Sequence, residues 1–178
     1  GSLNVGRSVT AGGAGTVSLT STGAGHAITL DGTVASGTGQ ITANSAGAIT
    51  QGANGAFSTA GLLQTASVTG QTLGGANTVA SFNATNSTLG DISLGNTAAL
   101  LTVTGITNSA ANGSATVTQA GALTTAGAIS TAANGNVSLQ ANNGSLTVGR
   151  SVTAGGAGTV SLANTGAGHA ITLDGTVA

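Results

Sequence analysis

The chain repeats itself almost word for word. Residues 1–35, GSLNVGRSVTAGGAGTVSLTSTGAGHAITLDGTVA, return at 144–178, differing only at Asn4/Thr147, Thr20/Ala163 and Ser21/Asn164. A cassette copied this closely is either a string of identical globular domains or part of one extended array, and any shorter period inside it chooses between them. Strand-like tetrads do recur inside it: Thr16-Val17-Ser18-Leu19, Gln40-Ile41-Thr42-Ala43, Thr65-Ala66-Ser67-Val68, Ala80-Ser81-Phe82-Asn83, Leu101-Thr102-Val103-Thr104, Ala115-Thr116-Val117-Thr118 and Asn136-Val137-Ser138-Leu139. The next, Thr159-Val160-Ser161-Leu162, is the first one repeated. This spacing predicts seven coils per cassette of roughly 20 residues each, the size of a β-helix turn rather than of a helical repeat. At a coil spacing of about 4.8 Å the cassette would rise roughly 34 Å.

Most coils hold a second alternating segment, such as Ala27-Ile28-Thr29-Leu30, Gly90-Asp91-Ile92-Ser93-Leu94 or Ser145-Leu146-Thr147-Val148. Apolar and small polar residues alternate with the period of two of a half-buried strand. Val17, Leu19, Ile28 and Leu30 are therefore expected to point inward and stack on their counterparts, with Ser18, Thr20 and Thr29 outward. Asn54-Gly55, Asn112-Gly113, Asn134-Gly135 and Asn143-Gly144 fall in the gaps, where tight corners call for residues that tolerate positive φ. Frequent Gly and β-branched residues, with no sustained 3.6-residue stripe, argue against helices. The expectation is an all-β chain: a right-handed parallel β-helix (β-solenoid) running continuously over 1–178, made of one cassette (1–143) and the start of the next (144–178).

Composition agrees with a narrow, packed interior and excludes several functions. The chain has no Pro, Cys, Met, Trp or Tyr, and Phe57 and Phe82 are its only aromatics, expected as local fillers. A mean hydropathy of +0.36 with a net charge of −1 is not the signature of disorder. Thirty-two Gly without Pro or a Gly-X-Y period is not collagen. Arg7 and Arg150 are the only basic side chains besides histidine, so no surface exists to neutralise a phosphate backbone, and nucleic acid is not expected as a partner. No apolar run is long enough to span a membrane.

Residue types that carry chemistry are scarce. The recurring polar group is His26 with Asp31, copied as His169 with Asp174, in GHAITLDG. Two His and three acidic residues supply neither a Ser-His-Asp arrangement nor paired carboxylates, so a corner hydrogen bond is the expected role. The two His lie too far apart along the axis to share a metal, and Asp31, Asp91 and Asp174 are too few for a calcium-binding β-roll. Arg7 and Arg150, each in VGRSV, are expected at solvated corners. The AGGAG run at 11–15 resembles a phosphate-binding loop, but no Lys follows and no helix would hold the anion. Asn83, Asn86, Asn112 and Asn143 begin Asn-x-Ser/Thr sequons, which a glycosylating host could modify, though stacking at coil corners is their expected role. The expected inventory is thus no catalytic, cofactor-binding or metal residues, and no cofactor.

The runs GTVSLTSTGAGHAITLDGTVA and GNVSLQANNGSLTVGRSV resemble the filamentous haemagglutinin-type repeats of large bacterial exoproteins. That resemblance covers the whole chain and rests on a G-x-[VI]-x-[LA] strand pattern. It implies a right-handed parallel β-helix, export by two-partner secretion, an extracellular or bacterial-surface location, and a part in adhesion, biofilm cohesion or toxin presentation. The cassette repeat points to a non-enzymatic shaft that associates with itself by coil stacking. The alternative reading is a repetitive binding surface for polysaccharide or, less fittingly, ice. Host-cell or matrix glycans and proteins are the outside partners that the resemblance implies.

Overall fold

The computed structural model describes residues 1–178. It is all-β, with 19 strands and no helix, and every strand pairing is parallel. The chain winds through about eight stacked turns of about 22 residues each, slightly larger than the tetrad spacing suggests. Each turn carries three strand segments, which lie on three sides of the stack. In the lowest turn these are Leu3–Val5, Val9–Ala11 and Val17–Ser21.

The first side is one uninterrupted ladder. Its inward residues run Leu3, Ile28, Ile49, Gln71, Ile92, Ala115, Val137 and Val160, each paired with the next. On the third side the ladder runs Val17, Ile41, Leu63, Phe82 and Val103, then passes through Thr125 and Val148 to Leu173, in the second segments of the upper turns. Alternation decides which residues enter the core: Val17, Leu19, Ile28 and Leu30 are buried, Ser18 and Thr20 exposed, and Thr29 half-buried. Thirty buried apolar residues form one cluster running the length of the stack. Phe57 and Phe82 lie wholly within it, the bulkiest of its fully buried side chains.

Coils of unequal length are accommodated in the middle of the stack. Ala56–Ser67 and Gln71–Asn86 are long strands that round corners, with register shifts between Thr59 and Leu62 and between Val103 and Gly105. Such irregularities absorb extra residues without breaking the ladder. Here the second side of the lower turns fades out, because Asn77 and Thr78 meet Asn96 and Thr97 at a corner. Above it, Leu100–Asn108 supplies both the second and third segments.

The tetrads consequently do not form one column. Those at 17, 41, 65, 82 and 103 share the third side, whereas those at 115, 137 and 160 stand on the first side, above Ile92. The cassette therefore does not span seven coils. From Leu3, first segment of the lowest turn, to its copy Leu146, second segment of the turn that begins at Val137, the chain completes six turns and part of a seventh. The physical reason is that the coils are unequal and longer than a uniform tetrad spacing allows: the coil from Leu3 to Ile28 takes up more chain than the one from Ile28 to Ile49.

Candidate functional site

Glycine controls the corners, by contact more than by φ. Of the four Asn-Gly corners, Asn112 and Asn134 take positive φ, both at 60°, and there it is the Asn rather than the Gly that adopts it. The glycines are required because neighbouring coils approach too closely for a Cβ. A Cβ on Gly55 would overlap the Leu30 carbonyl, one on Gly135 the Gly113 carbonyl, and one on Gly158 the Gly135 carbonyl. Likewise Gly39 lies over Gly15, and Gly61 over Gly39.

Two buried polar files run along the corners inside the stack. At the end of the third side they are Ser21, Ser45, Ser67, Asn86, Asn108 and Thr131, all nearly inaccessible. Asn86 accepts bonds from the Ser67 hydroxyl and the Gly70 N–H, both 2.9 Å, and its Nδ2 donates to the Leu89 and Gly90 carbonyls and to Asn108 Oδ1. Where the first side ends, Gln51 and Asn77 exchange side-chain bonds, and Asn96 donates to Gln119. Such files satisfy backbone groups that a tight corner strands away from water.

These files explain one sequon and leave the others outside. Asn86 is buried and Asn83 half-buried, whereas Asn112 and Asn143 are exposed. Asn86 and Asn112 are indeed stacked, on Asn108 and Asn134.

The structure separates His26 from Asp31. They flank Ile28–Leu30 at opposite ends of an extended strand, on two different corners. Five residues of strand span about 16 Å, beyond hydrogen-bond reach. Neither makes the expected corner bond: His26 Nδ1 is buried with no partner, and the carboxylate that accepts one is Asp91's, from the Ser114 N–H at 2.7 Å. His26 is accommodated by Gly23 and Asp31 by Gly52, since a Cβ on either glycine would overlap them.

A different pairing emerges that sequence distance hides. The N–H groups of Asp31 and Gly32 donate to the Val5 carbonyl, so VGR lies directly below LDG on one corner. Arg150 and Asp174 repeat it, with Asp174 and Gly175 donating to Val148. Both Arg and both Asp are exposed there. No group of three or more His, Cys, Asp or Glu comes together anywhere in the chain.

Outward residues form files too. On the first side Asn4 is followed by Thr29, Thr50, Thr72, Ser93, Thr116, Ser138 and Ser161, each in register with the next. Beside the fading second side lie two adjoining shallow concavities of about 530 and 370 Å³ that share Ser58 and Thr78. Their lining is uncharged and mixes alanine with Ser and Thr, with Leu100 at the second. Comparison with family models, with curated proteins and with solved structures returns no match to this chain.

Proposed function

We propose that the chain is a stretch of the shaft of a secreted filamentous adhesin or biofilm-matrix protein, a non-enzymatic spacer that lengthens by adding coils. The observation that carries this reading is the unbroken passage from one cassette into the next. Leu146 pairs with Ile171 as Leu3 pairs with Ile28, and Val152 bridges Val177 as Val9 pairs with Val34. Stacked repeats of this kind have no natural stopping point, so length is what repetition yields. The resemblance to filamentous haemagglutinin-type repeats supplies the adhesive context, the bacterial surface and two-partner export.

Electron microscopy of chains with two, four and eight cassettes tests it. A thin unbranched rod growing by about 30 Å per cassette, from six turns and part of a seventh at about 4.8 Å per coil, is expected. Beads on a string would refute it.

The outward hydroxyl file on the first side favours one second reading, a binding surface for an uncharged polysaccharide. A single file is one column wide, flanked by Gly74, Gly95, Thr118, Gln140 and Ala163, so it offers no two-dimensional lattice of the kind an ice plane would require. Retention of the chain on insoluble neutral glucans, lost on Thr72→Ala/Thr116→Ala, would support that reading; no retention would remove it.

A further inference from the structure

We infer that a rod built from this cassette has no fixed binding face, because each cassette spans a fractional number of turns and is rotated by that fraction relative to the cassette before it. Extension to a whole rod rests on the shaft reading, but the rotation itself is already present within residues 1–178.

Three pairs of identical segments carry it. Leu3–Val5 is the first segment of its turn, and its copy Leu146–Val148 is the second. Val9–Ala11 is a second segment, and its copy Val152–Gly155 is a third. Val17–Ser21 is a third segment, and its copy Val160–Asn164 is the first of the next turn, in the ladder of Leu3. Followed down the ladders, Val148 stands on the column of Val17, Val152 on that of Leu19 and Val160 on that of Leu3, so all three copies are displaced round the stack in the same sense while the pairing within each copy is unchanged.

The rotation limits what the rod can present. The corner that joins Arg7 to Asp31 recurs once per cassette but faces a new direction each time, so a partner that reads it meets sites winding round the rod. The hydroxyl file is also cut short. Ser161 is the copy of Ser18, whose upper neighbours are Thr42, Gln64 and Asn83. In a tandem array the first side therefore changes from hydroxyls to amides two coils above Ser161. No side keeps a matched array for longer than about one cassette, which opposes both lattice binding and flat side-to-side packing of rods.

Cysteine pairs in this chain test the rotation where it arises, with no native thiol to interfere. Residues paired across parallel coils stand about 4.8 Å apart, within disulfide range. Ser93→Cys/Thr116→Cys and Thr102→Cys/Thr124→Cys should oxidise to intramolecular disulfides, because those residues are in register. Thr102→Cys/Thr116→Cys should stay reduced, although seven uniform coils would stack these two. Positions 102 and 116 each serve in a pair expected to bridge, so a misfolded variant would show itself. Bridging of 102 to 116 in place of the other pairs would overturn the inference. Reconstruction of rods with six cassettes then separates it from the shaft reading: a constant fractional rotation per cassette is expected, rods without rotation would overturn this inference alone, and absence of rods would overturn the shaft.

Discussion

At the scale of single residues, what matters is how little room one coil leaves for the next. A Cβ on Gly39 would overlap the Gly15 carbonyl, whereas one on Gly12 would meet nothing within 4 Å at a φ open to any residue. Gly39→Ala should cost about 1–3 kcal/mol through forced separation of coils. Gly12→Ala should be neutral, or stabilise by about 0.4–1 kcal/mol through the unfolded state, as chemical denaturation would show. Asn86 is the other sensitive position. Asn86→Ala strands the buried Gly70 N–H and removes the side-chain partner of the Leu89 carbonyl, while the Gly90 carbonyl keeps its bond from Asn108, and a loss of roughly 1–3 kcal/mol for a buried group left unpaired sets the scale. In a glycosylating host, glycan should be found by mass spectrometry at Asn112 or Asn143 and not at Asn86, whose side chain is enclosed.

Among elements, the unit of stability is the coil, because each strand finds its partners only above and below. Ala115 pairs upward with Val137 and downward with Ile92, so removal of 115–136, one full coil, should bring Val137 onto Ile92 and leave a shorter folded stack. Circular dichroism should then show an unchanged β signature with a modestly lower Tm. Removal of 115–125 leaves half a turn, inverts inside and outside, and should abolish cooperative unfolding. Inside a coil, polar residues are admitted when they are satisfied. Gln71 sits inward between Ile49 and Ile92, accepting from the Thr65 hydroxyl at 2.6 Å and donating to the Thr85 carbonyl at 2.7 Å.

At the scale of the whole 178-residue stretch, its first and last turns govern how it behaves on its own. Ile28 and Leu30 are fully buried, while their copies Ile171 and Leu173, on the last turn, are 41% and 55% exposed. The same sequence thus has an apolar face covered in one place and bare in another, beside strand edges with no partner. Concentration-dependent end-to-end association is expected in analytical ultracentrifugation. Covering a leucine side chain contributes about 1.5–3 kcal/mol, so Leu173→Lys should weaken the association by about tenfold or more while the fold persists.

Much of this was legible in the chain itself. Period-two alternation placed Val17, Leu19, Ile28 and Leu30 inside, because side-chain direction in a strand follows from backbone geometry alone. The scarcity of titratable residues bounded the candidate sites in the same way. Stacking was a different matter. Nothing local shows that Thr116 rests on Ser93 instead of Thr102, that Gln71 belongs in the core, that Arg7 lies under Asp31, or that His26 and Asp31 part company. Those relations depend on how many residues each corner takes up, and the corner lengths are set by contacts between coils. The sequence by itself determined a parallel stack of short strands with an aliphatic interior; the tertiary structure decided the register, and with it a cassette of six turns and part of a seventh.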